Sequence, residues 1–100
     1  MNITRLDIIQ RRGTVEDYLF RVSNSESDRD VAVGIPEQAY LRVGESKKPR
    51  EVWYGLAEAW LKLQMERGFN PFRESSDRVP DVPTAVADHW IGYGELPPML

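Results

Sequence analysis

The sequence has no cysteine, a single histidine and no long apolar run. Without cysteine, disulfide bonds and thiolate metal sites are excluded, and the expected location is a reducing compartment, the cytoplasm. A membrane-spanning helix needs about 20 consecutive apolar residues, and no stretch approaches that length. Residues 1–5 also lack the basic and apolar regions of a secretion signal. We therefore expect a cytoplasmic protein with no membrane association.

Motifs for catalysis or metal binding are also missing. No serine lies in a G-x-S-x-G context that would pair with His89. Glu26, Asp28 and Asp30 alternate, but they lack the glycine and glutamate spacing of a calcium loop. No glycine-rich phosphate loop or zinc-binding helix is present. The sequence therefore predicts a non-enzymatic protein with no cofactor, and we infer no small-molecule substrate.

The composition is that of one small folded domain. The chain has 100 residues, of which 41% are hydrophobic and 29% are charged. A chain of this length forms one domain with a modest core. Its aromatic residues, which make up 10% of the chain, argue against disorder.

The N-terminal third shows the period-two alternation that is typical of β-strands. Strands are predicted at about 2–11, 16–22 and 31–35, with a turn at Gly13 and an exposed, mobile loop over 23–30. The three strands would form an antiparallel meander. Its predicted inner face comprises Tyr18, Phe20, Val22, Val31, Val33 and Ile35.

Two helices are predicted next, a short one over 36–42 and a long one over 49–67. A fourth strand over 39–43 is the alternative to the short helix. At 100° per residue, the apolar side chains of the long helix cover roughly two-thirds of its circumference. A helix on one core surface needs a stripe of little more than about 100°. The remainder must be covered by the C-terminal third of the chain, by a second copy or by a foreign partner.

Gly55 interrupts the polar side of this helix, and a glycine there costs about 1 kcal/mol relative to alanine. We favour a tolerated glycine over a close approach by another segment. Trp53 and Trp60 lie on one side of the helix, which favours a core role.

Residues 69–100 form a different region, which we call the arm. Five of the seven prolines lie here, together with many large apolar residues that a disordered tail rarely carries. Thr84 is predicted to cap one short helix that runs through Trp90 and ends near Gly92. The predicted architecture is thus an α+β core, residues 1–68, in which a three-stranded meander packs on one long helix. The proline-rich arm packs on this core or on a second subunit.

The wide helix face and the aromatic arm favour a protein-interaction module whose partner is another protein or a second copy in a homodimer. The predicted interaction residues are Trp53, Tyr54, Trp60, Leu61, Met65, Trp90 and Tyr93. The alternative is a small regulator associated with nucleic acid, although the net charge of −3 makes such a partner unexpected. Its predicted contacts are Arg11, Arg12, Lys47, Lys48 and Arg50.

Overall fold

The computed structural model describes residues 1–39, 50–73 and 77–98. Strands β1 (Asn2–Arg12), β2 (Val15–Ser23) and β3 (Asp28–Pro36) precede helices α1 (Arg50–Glu66) and α2 (Thr84–Tyr93). The strands form an antiparallel sheet in the order β1-β2-β3, and α1 packs against β2 and β3. The predicted α+β class and three-stranded meander are confirmed.

The inner face of the sheet is the one that alternation predicted. Tyr18, Phe20 and Val22 are fully buried, and their partners on β3 include Val31 and Val33. Because side chains alternate along a strand, every second residue of each strand reaches the same core. The rings of Tyr18 and Phe20 pack nearly perpendicular to the ring of Tyr54 on α1, at centroid distances of 4.9 and 5.8 Å.

β1 contains a bulge that the sequence did not predict. Arg5 pairs with Phe20 and Ile9 pairs with Tyr18, so residues 6–8 lie opposite Leu19 alone. Asp7, at the centre, has a φ of 55°, a conformation that aspartate tolerates better than most residues. Because the bulge adds an even number of residues, Ile9 returns to the inner face.

Two predicted boundaries were wrong. β2 extends to Ser23 and β3 begins at Asp28, so the predicted loop over 23–30 is reduced to residues 24–27. Asn24 closes this turn by accepting hydrogen bonds from the backbone N–H groups of Glu26 and Ser27, both at 2.8 Å. Residues 24–30 are exposed, as predicted, and an ion pair between Arg21 and Asp30, at 2.9 Å, links β2 to β3.

Of the predicted short helix over 36–42, Pro36 is instead the last residue of β3, and residues 37–39 are helical. Residues 40–42, and all but the first residue of the alternative strand over 39–43, lie outside the described residues. α1 ends at Glu66, within one residue of the predicted end at 67, and Gly68 follows it with a φ of 111°.

α2 begins and ends differently from the prediction. Thr84 is its first helical residue, and the preceding cap position is Pro83, with no side-chain cap hydrogen bond. Gly94, not Gly92, ends the helix. It has a φ of 72°, and its N–H donates to the carbonyl of Trp90 at 2.7 Å. Neither α1 nor α2 is long and apolar enough to cross a membrane.

Candidate interaction surface

The chain itself covers the wide apolar face of α1 from two sides. On the side of the sheet, Tyr54 contacts Tyr18 and Phe20, and Trp53 and Leu61 are buried in the same core cluster. On another side, Trp90 of α2 lies against Gly55, and its Nε1 donates to the carbonyl of Val52 at 3.1 Å. The close approach at Gly55, which the sequence analysis did not favour, is therefore what the structure has.

The predicted interaction residues fall into two groups. Trp53, Tyr54, Trp60 and Leu61 lie in the core of this chain. The core role favoured for the two tryptophans is confirmed, and a partner could contact these four residues only if the packing of the core were opened. The second group is partly or fully accessible: Met65 and Trp90 are half-buried, and Tyr93 is 73% exposed.

Residues 77–82 of the arm run along the outer edge of β3. The N–H of Ala32 donates to Asp77, while Val79 and Val82 donate to the carbonyls of Ala32 and Gly34. Ala32 and Arg78 form a parallel bridge. The side chains of Val79 and Val82 are fully buried. This segment therefore supplies main-chain partners for an edge that would otherwise be unpaired.

A cluster of ionic side chains on the outer face of the sheet holds this segment in place. Asp17 is buried, and it accepts hydrogen bonds from Arg78 at 2.7 Å and from Arg12 at 3.1 Å. Arg12 also donates to Asp81 at 2.9 Å. Burial opposes ionisation of Asp17, but the hydrogen bonds and charges of Arg78 and Arg12 prevail and lower its pKa. The carboxylate of Asp17 on β2 thus links the last residue of β1, Arg12, to Arg78 of the arm.

Gly34 makes room for this cluster. A Cβ atom there would overlap Oδ1 of Asp81 and Cγ1 of Val15. Only a residue without a side chain lets Asp81 lie across β3 at this point.

The opposite edge of the sheet is different. We use the name β1 edge for the main-chain side of Asn2–Arg12 that faces away from β2. Among the described residues, no backbone group outside β2 hydrogen-bonds to the backbone of β1. Ile8, one of the exposed large apolar residues at 46%, belongs to this strand, and Met1, which is 73% exposed, precedes it.

The inner face beside this edge is only partly covered, because α1 packs on β2 and β3. Ile3 and Ile9 are half-buried against the core. Between them, Arg5 reaches to α1, where it donates to Glu51 and, at 3.1 Å, to Glu58, and it lies 5.4 Å from the centroid of the Tyr54 ring. Burial opposes ionisation of Glu58, but hydrogen bonds from Arg5 and Lys62 lower its pKa overall.

The residues predicted to contact nucleic acid are placed less favourably for phosphate binding. Arg11 lies 2.7 Å from Glu37 and 3.6 Å from Glu16, and Arg12 is held by Asp17 and Asp81. Arg50 is exposed at the start of α1. Lys47 and Lys48 lie outside the described residues. The nucleic-acid interface stays a prediction.

His89, the single histidine, packs against the end of the arm. Nδ1 of His89 lies 3.0 Å from the carbonyl oxygen of Glu95, and its ring lies 4.5 Å from that of Tyr93. Within residues 1–39, 50–73 and 77–98, no three histidine or carboxylate side chains are grouped to hold a metal ion.

Sequence reasoning missed the pairing of the arm with β3 and the cluster at Asp17. The local signals were present: Val79 and Val82 are apolar residues between prolines, and Asp17 is a charge on a strand. No local sequence pattern shows that Asp17 lies close to Arg78, because the two residues are 61 positions apart.

The chain matches no protein-family model, and neither a curated protein nor a solved structure is significantly similar to it. Any function is therefore argued from the geometry of its own surfaces.

Proposed function

We propose that this chain is a small, non-enzymatic protein-interaction module that binds another polypeptide along the β1 edge. The observation that supports the proposal is the contrast between the two edges of the sheet. Residues 77–82 cover β3, whereas among the described residues only β2 pairs with β1. An exposed strand edge is a template for pairing with another chain, and strand addition is a common mode of peptide recognition.

The apolar side chains at this edge support the same proposal. Ile8 is exposed, and its neighbours Leu6 and Ile9 are half-buried. Exposed apolar groups beside an unpaired strand edge favour a partner site. A strand laid along β1 would remove water from these side chains while it satisfies the main-chain groups of the edge.

In the proposed module, the arm mainly stabilises the fold and is not itself the binding surface. It covers α1 and β3, and Tyr93 is its exposed large aromatic residue among those described. The non-enzymatic part of the proposal rests on the missing motifs, and a cytoplasmic location rests on the missing cysteine.

A photo-cross-linking residue tests the proposal in the full-length chain. We place it at Ile8 on the β1 edge and, as a matched control, at Ser25 in the exposed turn between β2 and β3. In an extract of the source organism, the Ile8 variant is expected to capture a polypeptide, either this chain or another, and excess unlabelled chain should compete. Capture at both positions alike, or at neither, would show that the β1 edge is not a binding surface.

A further inference from the structure

We infer that the buried carboxylate of Asp17 sets the register in which residues 77–82 pair with β3. The inference does not depend on a partner at the β1 edge. It starts from a repeat in this segment, where Val79-Pro80 is followed three residues later by Val82-Pro83. The repeat would let the segment lie on β3 in a second register, shifted by three residues, and the charges around Asp17 oppose that register.

The main-chain contacts of the segment would be retained after such a shift. The N–H groups of Val79 and Val82 donate to β3, at 3.3 and 2.8 Å. Their places would be taken by Val82 and Ala85, which also have an N–H to donate. The carbonyl of Pro80 accepts a hydrogen bond from Nε1 of Trp60 at 2.7 Å, and the residue in its place would again be a proline. Main-chain pairing alone therefore does not choose between the registers.

The apolar contacts choose between them only in part. Val79 and Val82 are almost fully buried. The shift would put Val82 where Val79 lies and Ala85 where Val82 lies. Ala85 is exposed in the first turn of α2, so the shift exchanges one buried valine for alanine and unwinds that turn. A single substitution, Ala85→Val, removes the first of these two costs.

The charged side chains distinguish the registers most sharply. Asp17 accepts hydrogen bonds from Arg78 at 2.7 and 3.2 Å. The shift described above would replace Arg78 by Asp81 and leave two carboxylates beside each other. A shift in the opposite direction would bring Arg78 to the place of Asp81, which lies 2.9 Å from Arg12. Like charges repel strongly where little water separates them, so both shifts are disfavoured.

The burial of Asp17 supports a role in register rather than in stability alone. A buried ionic group is weak evidence for stability, and its best-attested use is to fix the register of packed elements. Because α2 begins at Thr84, directly after this segment, the register also decides whether Trp90 reaches Gly55. Asp17 is thus a positioning residue for α2.

Ala85→Val completes the repeat and makes the test specific for charge. With this change both registers place a valine at each buried position, and the substitution is at an exposed residue. Nuclear Overhauser contacts of the Ala32 amide identify the register. Its bridge partner is Arg78 in the observed register and would be Asp81 in the shifted one. With Asp17 intact, we expect the contact to Arg78 alone.

Exchange of the two charges, Arg78→Asp with Asp81→Arg, should reverse this preference while the net charge stays constant. In the Ala85→Val background, the observed register would place an aspartate beside Asp17. The shifted register would place the arginine introduced at position 81 there instead. We therefore expect the Ala32 amide to contact residue 81 and to lose its contact to residue 78.

Hydrogen exchange gives a second measure of the shift. The N–H groups of Val86 and Ala87 donate to the carbonyl of Pro83 in the first turn of α2. The shifted register unwinds that turn, so in the charge-exchanged chain these two amides should exchange at least tenfold faster than in Ala85→Val alone. The amide of Ala32 should stay protected, because it remains paired. Loss of protection at Ala32 as well would mean that the segment has detached, which overturns the inference.

The remaining outcomes are equally decisive. A contact to residue 78 in the charge-exchanged chain, or no contact to either residue, overturns the inference. If that chain does not fold, Asp17→Asn in the Ala85→Val background replaces it: contacts to both residues are expected, and any other result overturns the inference. Arg21→Glu is the matched control, since it reverses an exposed charge on the same strand. A register that changes with Arg21→Glu would show that the selection is not made at Asp17.

Discussion

The indole ring of Trp90 lies against Gly55, so close that a Cβ atom added to the glycine would be 3.2 Å from Cζ2 of the ring. The hydrogen bond from Nε1 to the carbonyl of Val52 fixes the ring in this place. The tryptophan thus fills the space that a side chain at position 55 would occupy. The helix-weakening effect of glycine is offset by the contact between α1 and α2.

A double-mutant cycle at these two positions should reveal the contact. In the wild-type chain, Gly55→Ala is expected to give no gain in stability, because the methyl group displaces Trp90. In a Trp90→Ala background the same change should stabilise the chain by about 1 kcal/mol, the usual preference of a helix for alanine. The free energy of unfolding, measured with urea for all four chains, gives the coupling.

Gly92→Ala is the matched control for this cycle. An added Cβ atom at Gly92 has no neighbour within 4 Å, although the residue is also helical. Its effect should be the same whether residue 90 is tryptophan or alanine. A Gly55→Ala effect that is equally independent of residue 90 would mean that the contact does not constrain the glycine.

Asp17→Asn should destabilise the chain at pH 7 and much less in acid. The carboxylate of Asp17 is buried between Arg78 and Arg12, and hydrogen bonds to charged groups contribute about 1.5–3 kcal/mol. Its pKa is lowered in the folded state, so its contribution is present above the unfolded value of about 4 and is lost as the pH falls towards the folded value. Urea unfolding of both chains between pH 7 and pH 3 measures this difference.

Asp30→Asn serves as the control for the Asp17 experiment. Its partner Arg21 is exposed on the same strand as Asp17, and an exposed ion pair contributes about 0–1 kcal/mol. If Asp30→Asn were as destabilising as Asp17→Asn, or if the effect of Asp17→Asn did not change with pH, the cluster would not stabilise the arm as described.

Trp60→Ala should destabilise the chain by about 3–5 kcal/mol, the usual cost of removing a buried aromatic ring. Trp60 is buried, and its Nε1 donates to the carbonyl of Pro80 at 2.7 Å, so the change should also loosen the arm. Trp60→Phe keeps a ring and should cost less. Tyr93→Ala, which removes an exposed aromatic ring, should change stability by no more than about 0.5 kcal/mol. An unchanged melting temperature for Trp60→Ala would contradict the core role of this face.

Binding to nucleic acid should be weak even at low salt. Arg11 and Arg12 are already bound to carboxylates, so their charges are largely neutralised within the chain. Fluorescence anisotropy with labelled duplex DNA over a range of salt concentrations measures this. Saturable binding that falls steeply with salt and is abolished by charge reversal at Arg11 and Arg12 would instead support the nucleic-acid alternative.

The sequence predicted those parts of the fold that depend on local periodicity. The alternation around Tyr18 and the apolar spread around Trp60 placed both residues in the core, because burial on one face produces a regular spacing. The bulge at Asp7 was missed because it preserves the alternation on either side. The strand start at Asp28 was missed because that residue, in a polar run, has a weak intrinsic preference for strands.

The candidate surface was less predictable for a different reason. A sequence shows that an apolar face needs cover but does not show what covers it. Here the answer depends on contacts such as Trp60 to Pro80 and Trp90 to Val52, between residues that lie 20 and 38 positions apart. The β1 edge could be recognised only after the position of the arm on β3 was known.

The pairing of residues 77–82 with β3 has a consequence for the newly made protein. Synthesis proceeds from the N-terminus, so all three strands of the sheet exist before the segment that covers β3 has been made. During that interval the edge of β3 lacks the main-chain partners that residues 77–82 later supply, and unpaired edges expose folding intermediates to aggregation. The nascent chain is therefore expected to depend most on chaperones just before Val79 and Val82 become available.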